Sequence, residues 1–209
     1  MKINAIIAGP AEGWRAKMFK DDDFNKVICF DPFEDNEDNK NIISVKKCLF
    51  SESCEKKFYV CNKRQCSSLF KPNYDFIKDR WKTVPEKYKI DKEITVDCDI
   101  LDNHIQEKDE YDLFTIDTQG AELDIIKGAK NSTDKIKVML VEIYNKPFYE
   151  NSSLFKETDP YIKSLGFDLV GKLRGYDLFD DYFYVSRKYR KTEQVKFIHN
   201  KYRSRLKKP

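Results

Sequence analysis

The chain has 209 residues, 40% of them hydrophobic and 14% aromatic, which is enough apolar material for one domain with a substantial core. Its formal charge of +3 hides an asymmetry, because the stretch from Arg187 onward carries ten Lys and Arg against one Glu and leaves the preceding body acidic. No run approaches the roughly 18 apolar residues that span a bilayer, and the apolar run at 5–8 is too short for a secretory signal, so the expected location is cytoplasmic.

Taken in order, the chain opens with an apolar strand at 3–8 that runs into Gly9-Pro10-Ala11-Glu12-Gly13, followed by a helix-like stretch from Trp14. A second strand at 26–30 ends on Asp31-Pro32, and Pro32 cannot continue a ladder, so Asp31 stands at a strand's carboxyl end. After the polar loop 34–40 comes a third strand at 42–45. The segment 48–97 is less regular, with β-rich pieces at 58–61 and 94–96, and reads as an insertion after the third strand. Order returns with a strand at 111–116 that ends in Asp117, then Thr118-Gln119-Gly120, then a helix at 121–127 closed by Gly128 as a C-terminal cap. Residues 137–143 read as a strand buried on both faces, with Glu142 near its far end. A helix at 159–165 precedes a closing antiparallel pair at 167–170 and 182–186.

Strands alternating with helices predict a doubly wound α/β domain at 1–188 with a mostly parallel sheet, followed by a basic, helical tail at 189–209. In such sheets ligands bind beyond the carboxyl ends of the strands, where the strand order reverses. Gly9, Ala11, Gly13, Asp31, Asp117 and Glu142 all follow or end strands at that edge. Glycines at both ends of a turn let the backbone approach a nucleotide-like ligand, and an acid ending the next strand can accept both ribose hydroxyls. The six cysteines form no CxxC pair and only His104 and His199 accompany them, which argues against a zinc site. Cys54, Cys61 and Cys66 lie near one another in sequence and read as packing residues or free thiols.

The run Phe114-Thr115-Ile116-Asp117-Thr118-Gln119-Gly120-Ala121-Glu122-Leu123, continuing to Ile126-Lys127-Gly128-Ala129, resembles the FkbM family of methyltransferases, whose hallmark is a strand ending in D-x-x-G-x-E. Phe30-Asp31-Pro32, Ser67-Ser68-Leu69 and Val141-Glu142 with Pro147-Phe148-Tyr149 extend the resemblance over nearly the whole chain to about Lys188. It implies a seven-stranded class I, Rossmann-like methyltransferase fold, S-adenosyl-L-methionine as cofactor, and a hydroxyl acceptor on a small molecule or glycan. Asp117 is the first choice of general base, with Glu122 and Glu142 as orienting or substitute groups, and His104 a further possible base. Gly9, Ala11, Gly13, Asp31 and Asp117 are the expected cofactor residues, and no metal is expected, although these acids could gather a hard cation. Each acid also has a structural reading, as helix cap or dipole partner. Tyr144, Phe148 and Tyr149 fit either an aromatic wall for a sugar or core packing.

The family's first motif places an acid two positions before its first glycine, where this chain has Ile7, and the first strand begins almost at residue 1. Both leave open a catalytically silent member that binds a glycan or protein partner through the same fold. Nucleic acid is not an expected partner, since no base-stacking aromatic pattern accompanies the basic tail. In that tail Val195, Ile198, Tyr202 and Leu206 recur at helical spacing, a stripe that either contacts an anionic membrane surface or packs on the protein's own body. Packing is the favoured reading, and the sequence does not speak to oligomeric state.

Overall fold

The computed structural model describes residues 1–10, 19–33, 41–82 and 84–208. The helix expected from Trp14, the turn residues Ala11 and Gly13, and the loop 34–40 lie outside the described residues. The main sheet holds seven strands in the order β3-β2-β1-β7-β8-β10-β9: β1 (Ile3–Ala8), β2 (Phe24–Phe30), β3 (Ile42–Val45), β7 (Tyr111–Ile116), β8 (Ile136–Tyr144), β9 (Phe167–Lys172) and β10 (Phe179–Ser186). β7 and β8 are buried at every position, as expected of strands covered on both faces. β1 pairs in parallel with β2 on one side and β7 on the other, so the strand order reverses beside β1.

The expectation of a mostly parallel sheet needs correction at one edge. β10 inserts between β8 and β9 and runs antiparallel to both, which makes the sheet mixed. The cause is chain length: only residues 173–178 join β9 to β10, and so short a link can return a strand antiparallel but cannot cross over to lay it parallel.

Alternation along β1 splits the core into two layers. Ile6 and Ala8 face one layer, with Ile28, Phe114 and Met139, under Ile125 and Ile126 of α2 (Glu122–Lys127) and Ile162 of α3 (Phe155–Ser164). Ala5 and Ile7 face the other, with Val27, Leu113, Val138 and Phe183. That second layer is closed by α4 (Glu193–Tyr202), whose Val195, Ile198 and Tyr202 are buried on it with Leu206 packed alongside. The stripe is consumed by the protein's own sheet, and the membrane-anchor reading loses its apolar residues. The tail is the outer layer of the fold; past α4 its Lys207 pairs with Lys172 at the end of β9.

α3 begins four residues before the expected Asp159. Its first turn is set by Glu157, whose carboxylate accepts the Leu154 N–H at 2.9 Å, and Pro160 lies inside the helix. Gly128 follows α2 as expected, but its backbone has right-handed helical angles, and the reason for glycine is space: a Cβ there would stand 2.0 Å from the Phe50 carbonyl oxygen.

The segment read as an irregular insertion forms a second sheet, β4-β6-β5, from β4 (Cys48–Leu49), β5 (Cys54–Cys61) and β6 (Ile90–Asp99), with α1 (Tyr74–Arg80) between β5 and β6. β5 and β6 are longer than the β-rich pieces suggested. Charged residues occupy much of their length, including the cross-strand pair Lys57 and Glu93 at 2.7 Å, and this masks the alternation that identifies a strand.

If α4 is a core layer, Ile198→Ala will cost about 2–5 kcal/mol by the cavity it opens, whereas Lys196→Ala on the exposed face will change stability by less than about 0.5 kcal/mol. Urea unfolding of the two variants reads the difference directly, and equal small losses would refute the layer assignment.

Candidate active site

The carboxyl ends of β1, β2 and β7 are laced together beyond the strands proper. Gly9 N–H donates to the Phe30 carbonyl at 3.0 Å, Asp117 N–H to the Ala8 carbonyl at 3.0 Å, and Asp31 N–H to the Val45 carbonyl at 3.3 Å. Gly9 adopts φ +74°, and a Cβ on it would lie 2.0 Å from the Asp117 carbonyl oxygen. Only glycine lets the two strand ends meet this closely. Beyond them opens a cleft at the strand ends. Gly9, Asp31, Asp117, Thr118 and Gln119 line it on the side of the main sheet, and Cys48, Leu49, Phe58 and Arg64 on the side of the second.

Asp31 is nearly buried, and its Oδ1 accepts the Phe33 N–H at 2.8 Å. The Arg64 guanidinium lies 3.5 Å from the same oxygen and stacks over the Phe33 ring at 4.8 Å. Arg64 gives no strong sequence signal, since its segment is a short 3-10 turn, Arg64–Cys66, in the stretch read as irregular.

Glu122 does not reach the cleft lining. Its buried carboxylate turns back on the loop before α2, accepting from Thr118 N–H at 3.0 Å, Thr118 Oγ1 at 3.2 Å and Gly120 N–H at 3.0 and 3.1 Å. The spacing D-x-x-G-x-E is therefore a self-capping turn, in which the acid satisfies the N–H groups that would otherwise be orphaned at the helix start. Burial pushes its carboxyl up from the ordinary 4.5 to about 7, against the lowering effect of these N–H donors.

Gln119, unremarked in the sequence beyond its place in the motif, is the centre of the polar network. It adopts φ +61°. Its Nε2 donates to Asp117 Oδ1 and, at 2.9 Å, to Glu142 Oε1. Its Oε1 faces the hydroxyls of Tyr144 at 2.8 Å and Tyr149 at 3.0 Å, and Tyr149 shares its single proton between that oxygen and the Cys66 carbonyl at 2.9 Å. The side-chain amide thus uses both donors and both lone pairs. A Gln gives no sequence signal of such a role; only the fold brings the four partners together.

Glu142, also buried, pairs with Arg174 at 3.0 Å, and the same guanidinium holds Asp181 at 2.8 Å. Glu142 and Asp181 are direct register partners on β8 and β10, so without Arg174 two buried carboxylates would face each other. Asp117 and Glu142 are bridged by Gln119, while Glu122 faces its own loop. Among the described residues no group of three acids, cysteines or histidines is arranged to hold a metal.

Several expected positions take structural places. Tyr144, Phe148 and Tyr149 are fully buried in an aromatic cluster with Trp81, Tyr88 and Phe179, so they back Gln119 and offer no wall to a sugar. His104 packs edge-on against Phe30, with Nε2 3.1 Å from Asp99, and is not among the residues lining the cleft. Ile7 points into the layer under α4, where a carboxylate would be buried among apolar side chains. Ala11 and Gly13 lie outside the described residues.

Gly9, Asp31 and Asp117 line one cleft beyond the carboxyl ends of β1, β2 and β7, which is where sheets of this kind bind ligands. Strand order, the single reversed strand and a cleft at the switch point define a doubly wound α/β protein with a ligand site in the usual place for that class. A family model, the methyltransferase FkbM domain, matches residues 15–169, and the chain belongs to that family. No curated protein and no solved structure matches the chain significantly.

Two outcomes follow from this geometry. Gly9→Ala must open the contact with Asp117 as well as pay about 1–2 kcal/mol for its left-handed backbone, whereas Gly166→Ala, at φ +94° with no atom nearer than 4.0 Å, pays the backbone cost alone. The difference in urea midpoint between the two variants measures the close approach, and equal losses would remove it from the account. Glu122 holds a proton in the folded state between pH 4.5 and about 7 that the unfolded chain has released. Its contribution is full below pH 4.5 and is lost as pH rises through 7. Glu122→Gln will flatten that fall, because its amide oxygen can still accept from the Thr118 and Gly120 N–H groups but carries no titrating proton. Identical slopes in urea unfolding between pH 5.5 and 7.5 would rule out this proton.

Proposed function

We propose that this chain transfers a methyl group from S-adenosylmethionine to a hydroxyl oxygen of a small-molecule or glycan acceptor. The observation that carries the reading is the convergence of Gly9, Asp31 and Asp117 on one cleft at the switch point, in a chain of a methyltransferase family. When bound, the cofactor supplies a methyl group already activated by its sulfonium. What remains for the protein is alignment and proton removal. Asp31 accepts the ribose hydroxyls, and the bare Gly9 backbone lets the ligand pass close to the sheet. Asp117 takes the acceptor's proton. Gln119 keeps the Asp117 carboxylate in one orientation through its Nε2 bond, and Arg174 compensates Glu142 so that the other Nε2 bond ends on a balanced charge. Glu142 acts here as an orienting group, and Glu122 holds the turn that carries Gln119.

A second reading, a silent member that binds a glycan or protein through this cleft, is favoured by Ile7, which gives no carboxylate to a cofactor's amino group. Calorimetry with S-adenosylmethionine and its demethylated product separates the two, because absence of binding to wild type favours the silent member. Under the first reading Asp31→Ala weakens cofactor binding with the fold intact, and unchanged affinity would displace Asp31 from this role. Asp117→Asn retains binding but loses about 10² to 10⁴ in turnover when labelled cofactor is screened against sugars and lipid-linked glycans. Turnover near wild type would move the base elsewhere.

A further inference from the structure

The cysteines that are neighbours in sequence are not the ones that form a row in space. Cys98 on β6 is the register partner of Cys48 in the parallel pair with β4 and of Cys54 in the antiparallel pair with β5. Directly opposite residues of an antiparallel pair have Cα atoms about 4.5–5.5 Å apart and neighbouring strands in general lie about 4.7–4.9 Å apart, within the roughly 4.4–6.8 Å that a disulfide spans. All three side chains belong to the same apolar cluster, and all three thiols are free. The Cys98 thiol interacts with both flanking thiols. Cys48 and Cys98 are buried and Cys54 is half-exposed, so one member of the row can meet a reagent in solution. Cys48 also lines the cleft and lies within electrostatic range of Asp31.

We propose that this row is a thiol–disulfide site, in which Cys98 forms a reversible disulfide with Cys54 and can pass it to Cys48 in the wall of the cleft. The oxidant is a small-molecule disulfide such as oxidised glutathione. Cys54 attacks one sulfur of that disulfide, breaking its S–S bond, releasing one small thiol and leaving a mixed disulfide. Cys98 then attacks the Cys54 sulfur, releasing the second small thiol and closing the Cys54–Cys98 bond. Two protein thiols are oxidised, and their two electrons and two protons leave with the two small thiols. Attack by Cys48 on the Cys98 sulfur moves the bond across the row and frees Cys54 as a thiol. The thiol of Cys48 holds Cys98 below the ordinary cysteine range, which suits the central sulfur to attack. Cys61 and Cys66 serve as internal controls, since Cys61 is opposite Ile90 on β6 and Cys66 lies outside the paired strands, so neither has a thiol as register partner.

The test is covalent and does not depend on the methyltransferase reading. The full chain is equilibrated with glutathione mixtures of rising oxidised share, quenched in acid, alkylated while unfolded and mapped by peptide mass. The expected result is loss of two of the six free thiols, links Cys54–Cys98 and Cys48–Cys98 only, Cys29, Cys61 and Cys66 alkylated throughout, and full reversal by dithiothreitol. Cys48→Ser retains only the Cys54–Cys98 link. Cys54→Ser, a change at a half-exposed position, slows oxidation because the remaining pair has no exposed thiol to start it. Six alkylated thiols at the most oxidising ratio, Cys54 halted as a glutathione mixed disulfide, or a bridge to Cys61 or Cys66 would overturn the proposal.

Discussion

The close approach of Gly9 to the Asp117 carbonyl is the constraint on which the rest of the site depends. β1 and β7 are adjacent parallel strands at the point where the order reverses, and their chains leave the sheet in the same direction. A Cβ at residue 9 would push them apart and with them the loop from Thr118 to Gly120. Because Asp117 N–H also donates to Ala8, the contact is held by a hydrogen bond on one side and by the lack of a side chain on the other. The position of a carboxylate at the cleft is thus inherited from the backbone, before any side-chain network refines it.

That refinement is a problem in satisfying buried polar groups. Asp117, Glu122, Glu142 and Asp181 crowd a small volume beside an aromatic cluster, and ionised carboxylates in such surroundings are costly unless paired. Each meets the cost differently. Glu122 takes backbone N–H groups and keeps its proton up to about pH 7, Glu142 and Asp181 share Arg174, and Asp117 shares the Gln119 amide with Glu142. The left-handed backbone at Gln119 is the local cost of aiming one amide at four partners. Such an arrangement fixes side-chain orientation more firmly than any single bond would, since rotating one member breaks several bonds at once.

How far the fold was legible follows from how each segment meets solvent. β7 and β8, buried on both faces, are uninterrupted apolar runs, and β7 spans the residues expected of it, 111–116. β5 and β6 present charged residues such as Lys57 and Glu93 to water, and only their centres look like strands. Asp31 and Asp117 were legible because a turn or a proline marks where their strands stop. The roles of Gln119, Arg64 and Arg174 were not, because each depends on partners tens of residues away whose placement only the sheet order determines. Among the thiols, Cys54, Cys61 and Cys66 are neighbours in sequence and read as packing residues or free thiols, whereas strand pairing aligns Cys54 with Cys48 and Cys98.

The charge asymmetry has its explanation in the same topology. The basic stretch from Arg187 lies on an acidic body, and its cations find that body's acids: Arg187 and Arg190 both reach Asp168, at 2.9 and 2.8 Å, and Lys201 reaches Asp23 at 2.8 Å. Surface pairs of this kind contribute about 0–1 kcal/mol each and are screened by salt, so they do not hold the tail down. The buried stripe of Val195, Ile198 and Tyr202 does that. What the pairs add is register. The buried stripe fixes which face of α4 meets the sheet, and the pairs of Arg187 and Arg190 with Asp168 and of Lys201 with Asp23 favour the observed position along it. The same placement lets residue 207 pair with Lys172 and lets its Nζ donate to the Arg174 carbonyl, which ties the end of the chain to the loop whose guanidinium balances Glu142.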